Sequence, residues 1–125
     1  MKNTTIEQKR AIYAFEAVQG LKGNQLESYR AAIKGFPATV LTNGLGQALA
    51  LLLANDETIL YGHLEAWLCK EAPHPPYHIE SGKFPLMEAL MKGSQDQYVV
   101  AQAEVHALVG WLKKFTSAMA ASNHS

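Results

Sequence analysis

Apolar residues return along this chain at intervals of three and four, the period of helices buried on one side. Leu26, Tyr29, Ile33 and Phe36 stand at i, i+3, i+7 and i+10, which predicts a helix opening after the turn residues Gly23-Asn24. Ahead of it, Thr4-Thr5-Ile6-Glu7 has the threonine-to-glutamate spacing that satisfies free amides at a helix start. A first helix is therefore expected to run to about Gly20, with Ala11, Phe15 and Val18 on one face, and to pack on the second as a hairpin.

Pro37 suits the first turn of a helix, where a missing amide proton costs nothing. The pattern then predicts a third helix from Pro37, with Leu41, Leu45, Ala48 and Leu52 in one stripe and Leu49 and Leu53 widening it, apolar enough to form the centre of the core. Asn55-Asp56 is expected to stop it and to cap a fourth helix carrying Leu60, Leu64, Trp67 and Leu68 to about Lys70. From Glu71 to Pro85, four prolines and a Ser-Gly pair exclude helix and predict a surface loop, the segment expected to move most. A short helix over Leu86 to Lys92 follows. Ser94 with Gln97 repeats the capping pattern, and Ala101, Val105, Leu108, Leu112, Phe115 and Met119 trace one long last helix, in which Trp111 and Phe115 are expected to anchor the core. No alternating run predicts a strand. The fold class is all-α: residues 1–125 as a single helical domain, a bundle of about five to six helices.

A chain of 125 residues can close such a core without metals or disulfides. Its single cysteine, Cys69, forms no internal disulfide, and no charged-then-apolar leader opens the chain, so a cytoplasmic protein is expected. The longest apolar stretch, Ala48 to Ala54, falls far short of the roughly 20 residues that cross a bilayer. Eleven basic and eleven acidic residues cancel, which argues against binding nucleic acid by bulk attraction. The balance is uneven, however. Lys2, Lys9, Arg10, Lys22, Arg30 and Lys34 face only Glu7, Glu16 and Glu27 in residues 1–35, whereas residues 36–72 set Lys70 against Asp56, Glu57, Glu65 and Glu71.

Little of this carries catalytic chemistry. Gly44-Leu45-Gly46 lacks the third small residue, the preceding strand and the parallel sheet of a dinucleotide site. Each glycine inside a helix costs about 1 kcal/mol relative to alanine, so this pair points either to close approach of another helix or to backbone offered to a partner. His74 and His78 are four apart, but Pro73, Pro75 and Pro76 prevent the helix that would align them on a metal. Cys69 and His63 could form a nucleophile and base, against the commoner reading of a small buried hydrophobe. Lys113-Lys114 either complement the helix dipole or contact phosphate.

Two stretches carry a resemblance. Phe36-Pro37-Ala38-Thr39-Val40-Leu41-Thr42-Asn43-Gly44-Leu45-Gly46-Gln47-Ala48-Leu49-Ala50 resembles the signature of the small-subunit family of the CRISPR type III-B (Cmr) RNA-targeting effector complex. Tyr98, Ala101, Glu104 and Trp111-Leu112-Lys113-Lys114-Phe115 are similar to that family's last helix. Leu41 departs from the pattern where a polar or basic residue is expected, and Gln102 stands where threonine is usual. The resemblance implies a non-catalytic subunit that stacks in several copies into an inner filament along guide and target RNA. Its implied partners are the backbone and large subunits, further copies of itself and the RNA backbone, with no cofactor, metal, membrane or small-molecule substrate. Arg30 and Lys34, one helical turn apart and turned from the apolar stripe, are expected with Lys113 and Lys114, and with Lys22 and Gln47, to contact RNA phosphates in the assembly. The rival readings are a stand-alone helical adaptor that binds only protein and a small hydrolase using Cys69 and His63.

Overall fold

Thr5, rather than Thr4, begins the first helix, α1 (Ile6–Gln19). Its hydroxyl accepts the Gln8 backbone amide at 3.1 Å and the Gln8 side-chain oxygen Oε1 accepts the Thr5 amide at 2.8 Å. The capping box is thus the expected one displaced by a residue, with Gln8 in the role given to Glu7. The buried face turns with it: Ala14 and Val18 are enclosed, while Phe15 stays 41% exposed. The structure is a computed structural model describing residues 4–78 and 82–122. Lys2 and residues 79–81 of the Pro-rich segment lie outside the described residues.

The second helix, α2 (Gly23–Asn43), runs straight through Pro37 instead of ending before it. The reason is the stripe: Leu26, Tyr29, Ile33, Phe36 and Val40 keep one helical register and are all buried, so packing outweighs the backbone bond that proline removes. The break comes at Gly44, whose φ of +89° is open to glycine and closed to most L-residues. The third helix, α3 (Leu45–Ala54), starts there. Leu41 and Leu45 consequently belong to different helices, and Leu41, expected in the core stripe, is 74% exposed. Leu45, Ala48, Leu49 and Leu52 do form the central apolar face.

Asn55-Asp56 turns the chain, Asp56 with φ 60°, but α4 (Thr58–Ala66) is entered at Glu57 without a side-chain cap. It ends in a π turn, Trp67–Glu71, closed by the Ala72 amide on the Trp67 carbonyl at 3.0 Å. The wider turn, not foreseen from the sequence, places Trp67, Leu68 and Cys69 inside together. The described residues between the π turn and Pro85, 72–78 and 82–84, are non-helical as expected, but they are not only surface. Tyr77 is buried, its amide donating to the Leu68 carbonyl, and the Pro76 carbonyl accepts from the Gln97 side chain. Pro85 opens α5 (Pro85–Lys92), and the expected Ser94–Gln97 exchange opens α6 (Gln95–Ser122).

No strand occurs among the described residues, and the buried side chains of the helices form one cluster. Helix α1 runs alongside α6 in the same direction, joined by Arg10–Glu104 and farther along by Phe15–Phe115. The Glu104 carboxylate receives Arg10 through both oxygens, at 2.6 and 2.9 Å, and the Trp67 indole at 2.9 Å. Bonding to Arg10 holds its carboxyl below the ordinary range against the opposing effect of burial. Helix α2 runs opposite to α6, so Gly44 meets Tyr98 at one end and Gly23 approaches Ala120 at the other.

Candidate nucleic-acid interface

Between the first half of α2 and the last third of α6 lies an open groove of about 520 Å³. Arg30 and Lys34 line it from α2 and Lys113 from α6, above an apolar floor that includes Leu26 and Ile33. The helical period explains this placement. Arg30 and Lys34 sit beside the buried stripe rather than in it, and Lys113 follows Leu112, whose burial fixes the rotation of α6. Glu27 also lines the groove, so three cations face one carboxylate in a chain without net charge.

The six residues singled out from sequence divide accordingly. Arg30, Lys34 and Lys113 come together. Lys22 precedes Gly23 at the groove's end, as the exposed residue before α2. Lys114 is exposed but does not line the groove, and Gln47 is exposed on α3, which does not border it.

The glycine motif resolves differently. The Tyr98 hydroxyl accepts the Gly46 amide at 3.0 Å and the Gln102 side-chain oxygen accepts the Leu45 amide at 3.3 Å. A Cβ on Gly44 would stand 3.1 Å from the Tyr98 hydroxyl, and one on Gly46 would stand 3.5 Å from Leu90. Gly44 therefore serves both the break and the close approach of Tyr98, a Cβ on Gly46 would meet Leu90 only at ordinary van der Waals distance, and two amides at the start of α3 are engaged within the protein. Gln102, one of the two residues that depart from the family pattern, is one of the two caps. Nothing local in the sequence pointed to Tyr98 or Gln102 in this role.

Cys69 is buried, and burial together with nearby Glu65 pushes its thiol up to about 11, so it is protonated at neutral pH. The His63 ring nitrogen Nδ1 lies 2.9 Å from the Tyr29 hydroxyl, and burial lowers the imidazole's pKa. An activated thiolate requires the opposite environment, which weighs against the hydrolase reading. Trp111 and Phe115 stack at 5.6 Å between centroids, with Phe15 edge-on to Phe115 at 5.5 Å. Both are half-buried and pack against the core from outside it, correcting their expected role as core anchors; Trp67, 2% exposed, is the enclosed indole.

Comparison with known proteins agrees with this architecture. Residues 6–119 match the family model described as CRISPR-associated protein (Cas_Cmr5). Among solved structures, the chain is similar to a CRISPR-associated Cmr5 family protein from Thermus thermophilus, with 27% identity and a TM-score of 0.72. That match covers 92% of this chain and 97% of the other. From the residues that carry the motifs to the order and packing of the helices, the chain belongs to the CRISPR-associated Cmr5 family.

Proposed function

We propose that this protein is a structural, non-catalytic subunit of a type III-B (Cmr) effector complex, stacking in its inner filament and holding guide or target RNA by the phosphate backbone. The observation that carries the RNA reading is the meeting of Arg30, Lys34 and Lys113, from two helices, along one groove. Cations fixed on rigid elements can neutralise successive phosphates without reading bases. Zero net charge fits this role. A subunit aligned by its neighbours gains from several weak contacts at once and needs little affinity for free RNA. Lys22 extends the same basic edge, whereas Lys114 and Gln47 have weaker support. The test is retention of target RNA by the assembled complex when Arg30, Lys34 and Lys113 are replaced by alanine.

A further inference from the structure

Residues 72–78 include Pro73, Pro75 and Pro76, which have no amide to donate. Among the described residues, two backbone bonds tie this segment down. The Ala72 amide closes the π turn on the Trp67 carbonyl at 3.0 Å, and the Tyr77 amide donates to the Leu68 carbonyl at 3.2 Å. The Gln97 side chain adds a bond to the Pro76 carbonyl at 3.1 Å, while Pro73, His74 and His78 stand exposed. The main attachment is the Tyr77 side chain, 2% exposed. Its ring is seated at the junction of α5 and α6, where a Cβ on Gly93 would stand 3.1 Å from it.

The Tyr77 hydroxyl is enclosed and has no hydrogen-bond partner among the described residues. Burial pushes its pKa up, and the Tyr98 hydroxyl and the Cys69 thiol lie near enough to add to that shift. In water this hydroxyl donates and accepts, so closing the segment forfeits those bonds while burial of the ring removes apolar area from solvent. The closed state is thus favoured by the ring and opposed by its tip. Cys69, 5% exposed, directly follows Leu68, whose carbonyl holds the Tyr77 amide, so the segment crosses the chain beside this thiol.

We propose that residues 72–78 are a strap latched by Tyr77, which opens as a unit while the rest of the bundle stays folded and in opening admits solvent to Cys69. Local opening draws first on the contacts that cost least to break. Here these are one backbone bond, one side-chain bond and a ring whose hydroxyl is better satisfied in water. Ala72, held on the Trp67 carbonyl, is the hinge, and the fixed φ of three prolines keeps the arm beyond it stiff. The buried stripes of α2, α3 and α6 depend on none of these bonds and stay closed.

The experiment is the reaction of Cys69, the single cysteine, with a thiol-specific disulfide reagent on the whole folded chain, each rate divided by that of the same protein unfolded in urea. The wild-type rate should stay flat through low urea, since a strap opening exposes little surface, and turn upward only where global unfolding takes over. Tyr77→Phe keeps the ring and removes the unpartnered hydroxyl, so it should slow the flat rate about fivefold or more. Tyr77→Ala removes the latch and should speed it about tenfold or more, with a cooperative melt retained. A wild-type rate that climbs from the first addition of urea with the slope of global unfolding would overturn the proposal, because Cys69 would then be reached only through the unfolded chain. So would a Tyr77→Phe rate above the wild type or within about twofold of it, or an unchanged rate in a folded Tyr77→Ala. If Tyr77→Ala does not fold, the wild-type urea dependence and the Tyr77→Phe rate decide the matter.

Discussion

The Tyr98 hydroxyl accepts the backbone amide of Gly46 at 3.0 Å, joining positions 52 residues apart and tying the start of α3 to α6. The positive φ at the break and the tight approach of Tyr98 both fall on Gly44, so the break after α2 and the last helix form one structural unit.

Gly44→Ala should therefore lower stability by about 1–3 kcal/mol, from a backbone at φ 89° and ψ 161° that is essentially reserved to glycine, with further loss because the new Cβ would stand 3.1 Å from the Tyr98 hydroxyl. Gly35→Ala, inside α2 with no atom within 4 Å of the added carbon, should raise stability by about 0.5–1 kcal/mol. Urea unfolding separates the two; a destabilised Gly35→Ala or an indifferent Gly44→Ala would show the break misplaced.

Trp67→Ala should cost about 3–5 kcal/mol, the range for a large aromatic removed from a core. It also strips Glu104 of its indole donor while Arg10 remains. Trp111→Ala should cost about 1–2 kcal/mol, since this ring is half-buried and loses mainly its stack on Phe115. Thermal melts that ranked Trp111 above Trp67 would contradict the packing described.

His63 supplies a pH dependence whose sign is fixed. Burial lowers its folded pKa, so as pH falls through the ordinary histidine range the unfolded chain takes up a proton that the folded chain does not. Stability should decline from pH 7 toward pH 5, above the range in which Glu104 is protonated. His63→Gln keeps a hydrogen-bonding group beside the Tyr29 hydroxyl and cannot titrate, so its stability should be flatter over this interval. An equal slope in both proteins would mean that His63 is not the group responsible.

Much of the fold was legible in the apolar period because burial enforces it: the stripe through Ile33 is buried throughout, and those through Leu49 and Leu108 are buried except at Leu41, Leu53, Phe115 and Met119. Errors arose where two local rules competed. Pro37 reads as a helix start, but the buried register of Phe36 and Val40 carries α2 past it, and the break passes to Gly44. The π turn at Trp67 has no compositional mark. In the site, the pairing of Arg30 with Lys34 follows from one helix, whereas Lys113 joins them only through the antiparallel packing of α2 and α6. Tyr98 and Gln102 were illegible for the same reason: their partners lie 52 and 57 residues away.

The central claim is that the groove holds RNA by its phosphates, and the salt dependence of target-RNA retention tests it most directly. For single strands each phosphate contact contributes about 0.7 to the slope of log K against log salt. Reconstituted complex carrying Arg30→Ala/Lys34→Ala/Lys113→Ala should assemble, hold every target more weakly and show a slope flatter by about 2 if all three contacts are made. Complex carrying Lys70→Ala/Lys92→Ala, two exposed lysines outside the groove, should match the wild type. Unchanged retention and an unchanged slope in the groove variant, across targets of different sequence, would contradict the account.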